Sequence, residues 1–215
     1  MLPTGHVEFT WAGLNLIQRQ FHRFEDADYR LATVAALLPD LIDKPLAIFV
    51  LRDAHAALLY GHTLVFHATV WAVAGATGRL RRWLPYLLAF SGHLLADRMW
   101  GFTQTLFWPF TGWRFHQWEF VGSPNAIWHA YLRIVVEEPK LIIFEVVGLG
   151  LLIGFARDRG LTDFHSLMLF LRTGRPGRPD QERIQQSQPI SGSIPVGRPV
   201  VHSVPAQSDH PVEDC

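Results

Sequence analysis

The sequence predicts an all-α, membrane-embedded helical bundle with a disordered C-terminal tail. Long apolar segments recur along it with almost none of the alternation that marks a strand. The charged fraction, 18%, is low for a water-soluble globule, the apolar fraction, 49%, is high, and eight tryptophans are many for 215 residues. Composition then changes once, sharply, at about Thr173.

The first apolar segment, about 7–24, ends in "RQFHRF". A second, 29–38, is expected to stop at Pro39-Asp40, because proline lacks the N–H that a helix needs. The third, about 54–76, reads "AHAALLYGHTLVFHATVWAVAGA" and is expected to be one helix long enough for a bilayer, which takes about 20 residues. The fourth covers 83–99, and the fifth, "LIIFEVVGLGLLIGFA", covers 141–156. Between them the aromatic stretch from Met99 to about Asn125 suits an interfacial belt, since tryptophan and tyrosine favour the headgroup level. It also suits a rim over which a lipid substrate enters. From Thr173 the chain is rich in Pro, Gly, Ser and Gln and cannot bury enough apolar area to offset its entropy. Residues 1–172 are therefore expected to form the helical domain and 173–215 the tail.

Charge and cysteine usage exclude several functions. Nineteen basic and nineteen acidic residues leave no net field for nucleic acid. The only cysteine, Cys215, rules out an internal disulfide, a redox pair and thiolate zinc sites. Any metal must be held by His, Asp, Glu or water. "MLPTGHVEFT" has no basic lead into an apolar core, so no cleaved signal peptide is expected and insertion would use internal helices.

The stretch "SGHLLADRMWG" places His93 and Asp97 four residues apart, on one helix face. Spacing alone leaves two readings open: a shared ligand, or an aspartate satisfying a histidine in a core. Antiparallel packing of the first four helices favours the former. It brings His6, Asp40, Asp43, His55, His62, His93 and Asp97 to one end of the bundle. It sends Arg19, Arg23, Arg30, Arg79, Arg81 and Arg82 to the other. The arginine-rich end is expected to be cytoplasmic, which puts the histidine end in the outer half of the membrane. Convergent His and carboxylate side chains are how bundles build metal sites, and an N/O donor set suits zinc, manganese or iron. His67 falls on a different face from His62 and is expected to pack rather than ligate.

"GHVEF", "LLPDLID", "YGHTLVF", "SGHLLAD" and "LFWPF" occur in order over residues 4–112. In this the chain resembles the predicted membrane-bound metal-dependent hydrolases, a family similar to the zinc-dependent phospholipase C superfamily. The resemblance implies an all-helical metal-site fold in a multi-pass protein of the inner membrane, with His6, Asp40, His62, His93 and Asp97 as ligands. The chain departs from the family pattern at Asp43, which follows Asp40 by three residues rather than two, and at Tyr60 and Thr63. The chemistry expected of such a site is hydrolysis of an ester or phosphoester, a lipid among the candidate substrates, on a divalent metal, zinc first, with two or more ions. His93 and Asp97 would hold one ion, and His62 and Asp40 would complete the cluster. His6 would bind from the first helix, and Asp43 would orient the water as general base. The partners expected are membrane lipid and a small-molecule or lipid substrate. Two alternatives stand beside this: a b-type haem protein, and a non-enzymatic membrane scaffold or transporter.

Overall fold

The computed structural model describes residues 2–51, 55–117, 129, 132–133, 136–137 and 139–176. Residues 177–215 of the expected tail and 118–125 of the aromatic stretch lie outside the described residues. Among those described, every regular element is helical.

Helix α1 (Pro3–Phe21) starts on a proline, whose fixed φ suits a first turn, and ends where His22 turns left-handed at φ 49°. Helix α2 (Tyr29–Pro45) is capped by Asp28, whose carboxylate accepts from the Arg30 N–H at 2.8 Å. The expected stop at Pro39 does not occur, and α2 runs through it for two more turns. Proline removes one intrahelical hydrogen bond, but Pro39 is fully buried, with its carbonyl close against Gly61, and tertiary packing outweighs the loss. A single π-helical turn, Leu46–Val50, follows.

The third apolar segment is not one long helix. A 3-10 turn, Tyr60–His62, leads into α3 (Leu64–Ala76), and Thr63 caps that helix by accepting from the Phe66 N–H at 3.2 Å. The 13 residues of α3 rise about 20 Å, short of the roughly 30 Å of a hydrocarbon core. His55 lies outside any helix at a left-handed φ of 45°, so the predicted shared face with His62 does not exist. Helix α4 (Leu80–Ala96) and a 3-10 turn, Met99–Gly101, come next, followed by the short α5 (Thr103–Leu106). Helix α6 (Pro139–Asp158) matches the fifth segment. Helix α7 (Phe164–Thr173) is an addition, capped by Asp163 and closed by Gly174 at φ 69°. No helix among the described residues is long and apolar enough to cross a membrane.

Helix α2 packs between α1 and α4, and α6 runs along α1. The largest core cluster joins Leu14, Tyr29, Phe155 and Phe170, with Trp11 edge-on to Phe170 at 5.2 Å. The Tyr29 hydroxyl donates to Gln18 Oε1 at 2.9 Å, which gives this aromatic a polar partner in the core. This core uses the later turns of α1, the start of α2 and the end of α6. The start of α1 and the ends of α2 and α4 are left to the polar residues.

Candidate metal centre

Four side chains meet where α2, the Tyr60–His62 turn and α4 converge. Asp40, His62, His93 and Asp97 each present one donor atom, and the four atoms lie within 4.8 Å of one another. His62 Nε2 and His93 Nε2 are 3.1 Å apart. Asp97 Oδ2 is 3.2 Å from His93 Nε2 and 3.6 Å from His62 Nε2. Asp40 Oδ1 is 3.7 Å and 3.9 Å from the same two nitrogens. Ligands about 2.0–2.1 Å from a tetrahedral ion stand about 3.3 Å apart, so these separations are close to the edges of one coordination shell.

The outer ring nitrogens explain why the inner ones face each other. His62 Nδ1 donates to Asp43 Oδ2 at 2.7 Å, and His93 Nδ1 donates to the Ala36 carbonyl at 2.6 Å. With those protons outside, both Nε2 atoms face the same spot 3.1 Å apart, flanked by two carboxylate oxygens. That arrangement is repulsive without a proton or a cation inside it, and it could hold a metal ion. Outer-shell partners of this kind fix the tautomer of metal-binding histidines. Burial works against a charge on His62, but hydrogen bonds to Asp43 and Asp97 and the charges of Asp43 and Asp40 outweigh it and push the group up to about 9. Burial likewise opposes charge on Asp97, yet hydrogen bonds from His6, His62 and His93 hold its carboxyl well below the usual carboxylate range. Both shifts describe a cluster of negative charge tuned to hold positive charge.

Asp43, expected as a general base, is fully buried and already committed. It accepts from the Leu59 N–H at 2.6 Å and the Gly61 N–H at 2.7 Å as well as from His62. Its carboxylate thus builds the turn that carries His62. His6 stands one step outside the four-donor group: its Nε2 is 3.1 Å from Asp97 Oδ1, and its ring stacks on His93 with centroids 4.0 Å apart. His67 lies outside the group too, stacked on Phe90 at 3.9 Å and donating from Nε2 to the Gly61 carbonyl at 3.0 Å.

A family model described as YdjM inner membrane protein matches residues 1–160, about three quarters of the chain. The chain belongs to the YdjM family. No curated protein and no solved structure matches it. The matched range takes in all of the YdjM-family chain's candidate ligands and the helices that hold them.

Two residues of the site escape a sequence reading. Lys44 donates to Asp40 Oδ2 at 2.5 Å and leaves Oδ1 on the donor side. Its signal is the Asp-Lys spacing of four on a helix, which resembles any surface ion pair. Gly61 is the other. A Cβ there would sit 2.7 Å from the Pro39 carbonyl and 2.9 Å from Asp43 Oδ1, so only glycine lets the turn close on α2.

Proposed function

We propose that this YdjM-family chain is a metal-dependent hydrolase of the inner membrane, acting on an ester or phosphoester. The observation that carries the reading is the convergence of two buried imidazole nitrogens and two carboxylate oxygens within 4.8 Å. An N/O set of this kind suits zinc, manganese or iron. A bound divalent ion would supply Lewis acidity toward the ester or phosphoester oxygen and would acidify water at neutral pH.

The chain's own residues supply the rest. Asp43 and the Ala36 carbonyl hold the protons of His62 and His93 on the outer side of each ring. Asp43 acts here as a positioning residue. Asp40 turns Oδ1 to the donor set and is held there by Lys44 at Oδ2, so in this reading it orients the attacking water. Lys44, partly exposed at the rim, adds positive charge where an anionic phosphoester would arrive. His6 holds Asp97 by Oδ1 and so decides which oxygen faces the centre.

The 3.1 Å between the two inner nitrogens supports a bare ion over haem, because a porphyrin ring would have to lie between two axial histidines. Membrane residence is supported by the family and by apolar faces left bare, among them Ile143 at 63% and Val146 at 64% exposure on α6. In this reading those faces meet lipid.

The test is turnover. The purified, zinc-loaded full chain should hydrolyse bis(p-nitrophenyl) phosphate, and Asp97→Ala should lower the rate by a hundredfold or more. Turnover no faster than that of zinc alone would favour the scaffold or transporter alternative.

A further inference from the structure

Beside the metal centre, α1, α2 and α4 line a half-open cavity of about 230 Å³. Small residues on all three helices keep it open: Gly13, Ala32, Ala36, Ala89, Gly92 and Ala96. Its lining is apolar except for Thr10 and for one end, where His6 and His93 form the wall. At that end His6 is 2% exposed, with its Nε2 3.1 Å from Asp97 Oδ1. Away from it the cavity runs along α1 to Ile17 and Phe24. From His6 to Ile17 is eleven residues of helix, about 16 Å at 1.5 Å per residue. A second cavity, between α2, α3 and α4, contains none of the candidate ligands.

An apolar cavity that runs along a helix from a polar head at a metal centre matches a ligand that has an alkyl tail and an anionic head. We propose that this cavity is an acyl-chain subsite, in which one alkyl chain of a lipid phosphoester lies along α1 with its head at His93 and Asp97. The proposal rests on the hydrolase reading and names its substrate class. Continuity with His6 and His93 sets the direction of the chain. The lining reaches no farther than Ile17 and Phe24, so a chain lying along it meets protein over a finite length. A tail in the bilayer has no such limit.

The length limit supplies the test. Binding of a series of alkyl phosphates, from methyl through hexyl and dodecyl to hexadecyl, is measured on the zinc-loaded full chain in lipid nanodiscs. Affinity should climb by up to about fourfold per added methylene and then level off once the chain reaches the end of the cavity. A Cβ added at Gly13 meets nothing within 4 Å, so Gly13→Leu should fill the cavity without a backbone clash. In that variant the plateau should come at a shorter chain. A gain that continues unchanged through hexadecyl phosphate would place the tail in the bilayer and overturn the proposal, as would methyl phosphate binding as tightly as dodecyl. Because these outcomes are read on the unsubstituted protein, they hold even if Gly13→Leu fails to fold. Failure of every phosphate, methyl included, would instead overturn the hydrolase reading beneath it.

Discussion

At the residue scale the centre depends on where two protons sit. His62 and His93 each donate outward, to Asp43 and to the Ala36 carbonyl, and so turn their Nε2 atoms inward. The pair His93 and Asp97 was legible from its spacing of four, because a helix fixes the geometry of that interval. Asp43 was legible as a member of the cluster but not in its role. A sequence does not say which neighbours a buried carboxylate will find, and here they are two backbone N–H groups and a ring nitrogen. His55 misled for a related reason: a seven-residue interval puts two side chains on one face only if a helix joins them, and His55 lies outside any helix. Asp43→Asn keeps the shape of the side chain and removes the charge that supports His62. Metal affinity should fall by about 10–100-fold, as for other outer-shell partners, when read by titration against a chelator of known strength. Unchanged affinity would remove Asp43 from the account.

At the element scale the centre exists because α2 outruns its proline and a turn closes upon it. Periodicity located α1, α4 and α6 to within a few residues, since each has a long apolar pattern. The segment ahead of α3 was misread because apolar content alone does not distinguish a continuous helix from a turn. The deciding facts are a glycine pressed against the Pro39 carbonyl and a threonine that caps the next helix. Gly61→Ala therefore tests the joint between α2 and the turn. Its Cβ would meet atoms at 2.7 and 2.9 Å, both backbone or committed side chain, and neither can retreat cheaply. Such overpacking costs about 1–3 kcal/mol, so the variant should melt earlier and hold less metal than the unsubstituted chain. A melting curve and metal content identical to those of the parent would show that the joint has slack.

At the scale of the whole molecule, polar convergence and apolar exposure occupy the same protein. The large aromatic core lies toward one end, around Tyr29, Phe155 and Phe170, and the histidine and aspartate cluster lies at the other. The gathering of the histidines and aspartates was legible because antiparallel helices carry residues at alternate helix ends to the same side, whereas the aromatic core was not foreseen. How the protein meets the membrane was less legible: apolar segments were counted as spans, yet no helix among the described residues is long and apolar enough to cross. The bare apolar faces of α6 still predict lipid contact. Alkaline carbonate treatment of cell membranes should accordingly leave the chain in the pellet, and its release into the supernatant would reduce those faces to a peripheral contact.

The central claim is that the four convergent donors hold a metal ion. Elemental mass spectrometry on the purified full chain tests it most directly, alongside His62→Ala, His93→Ala and Asp97→Ala. The account predicts at least one divalent ion per chain in the unsubstituted protein and loss of most of it in all three variants, because removing one ligand weakens the whole shell. Undiminished metal in the three variants, or a correctly folded parent that takes up no divalent ion, would contradict it.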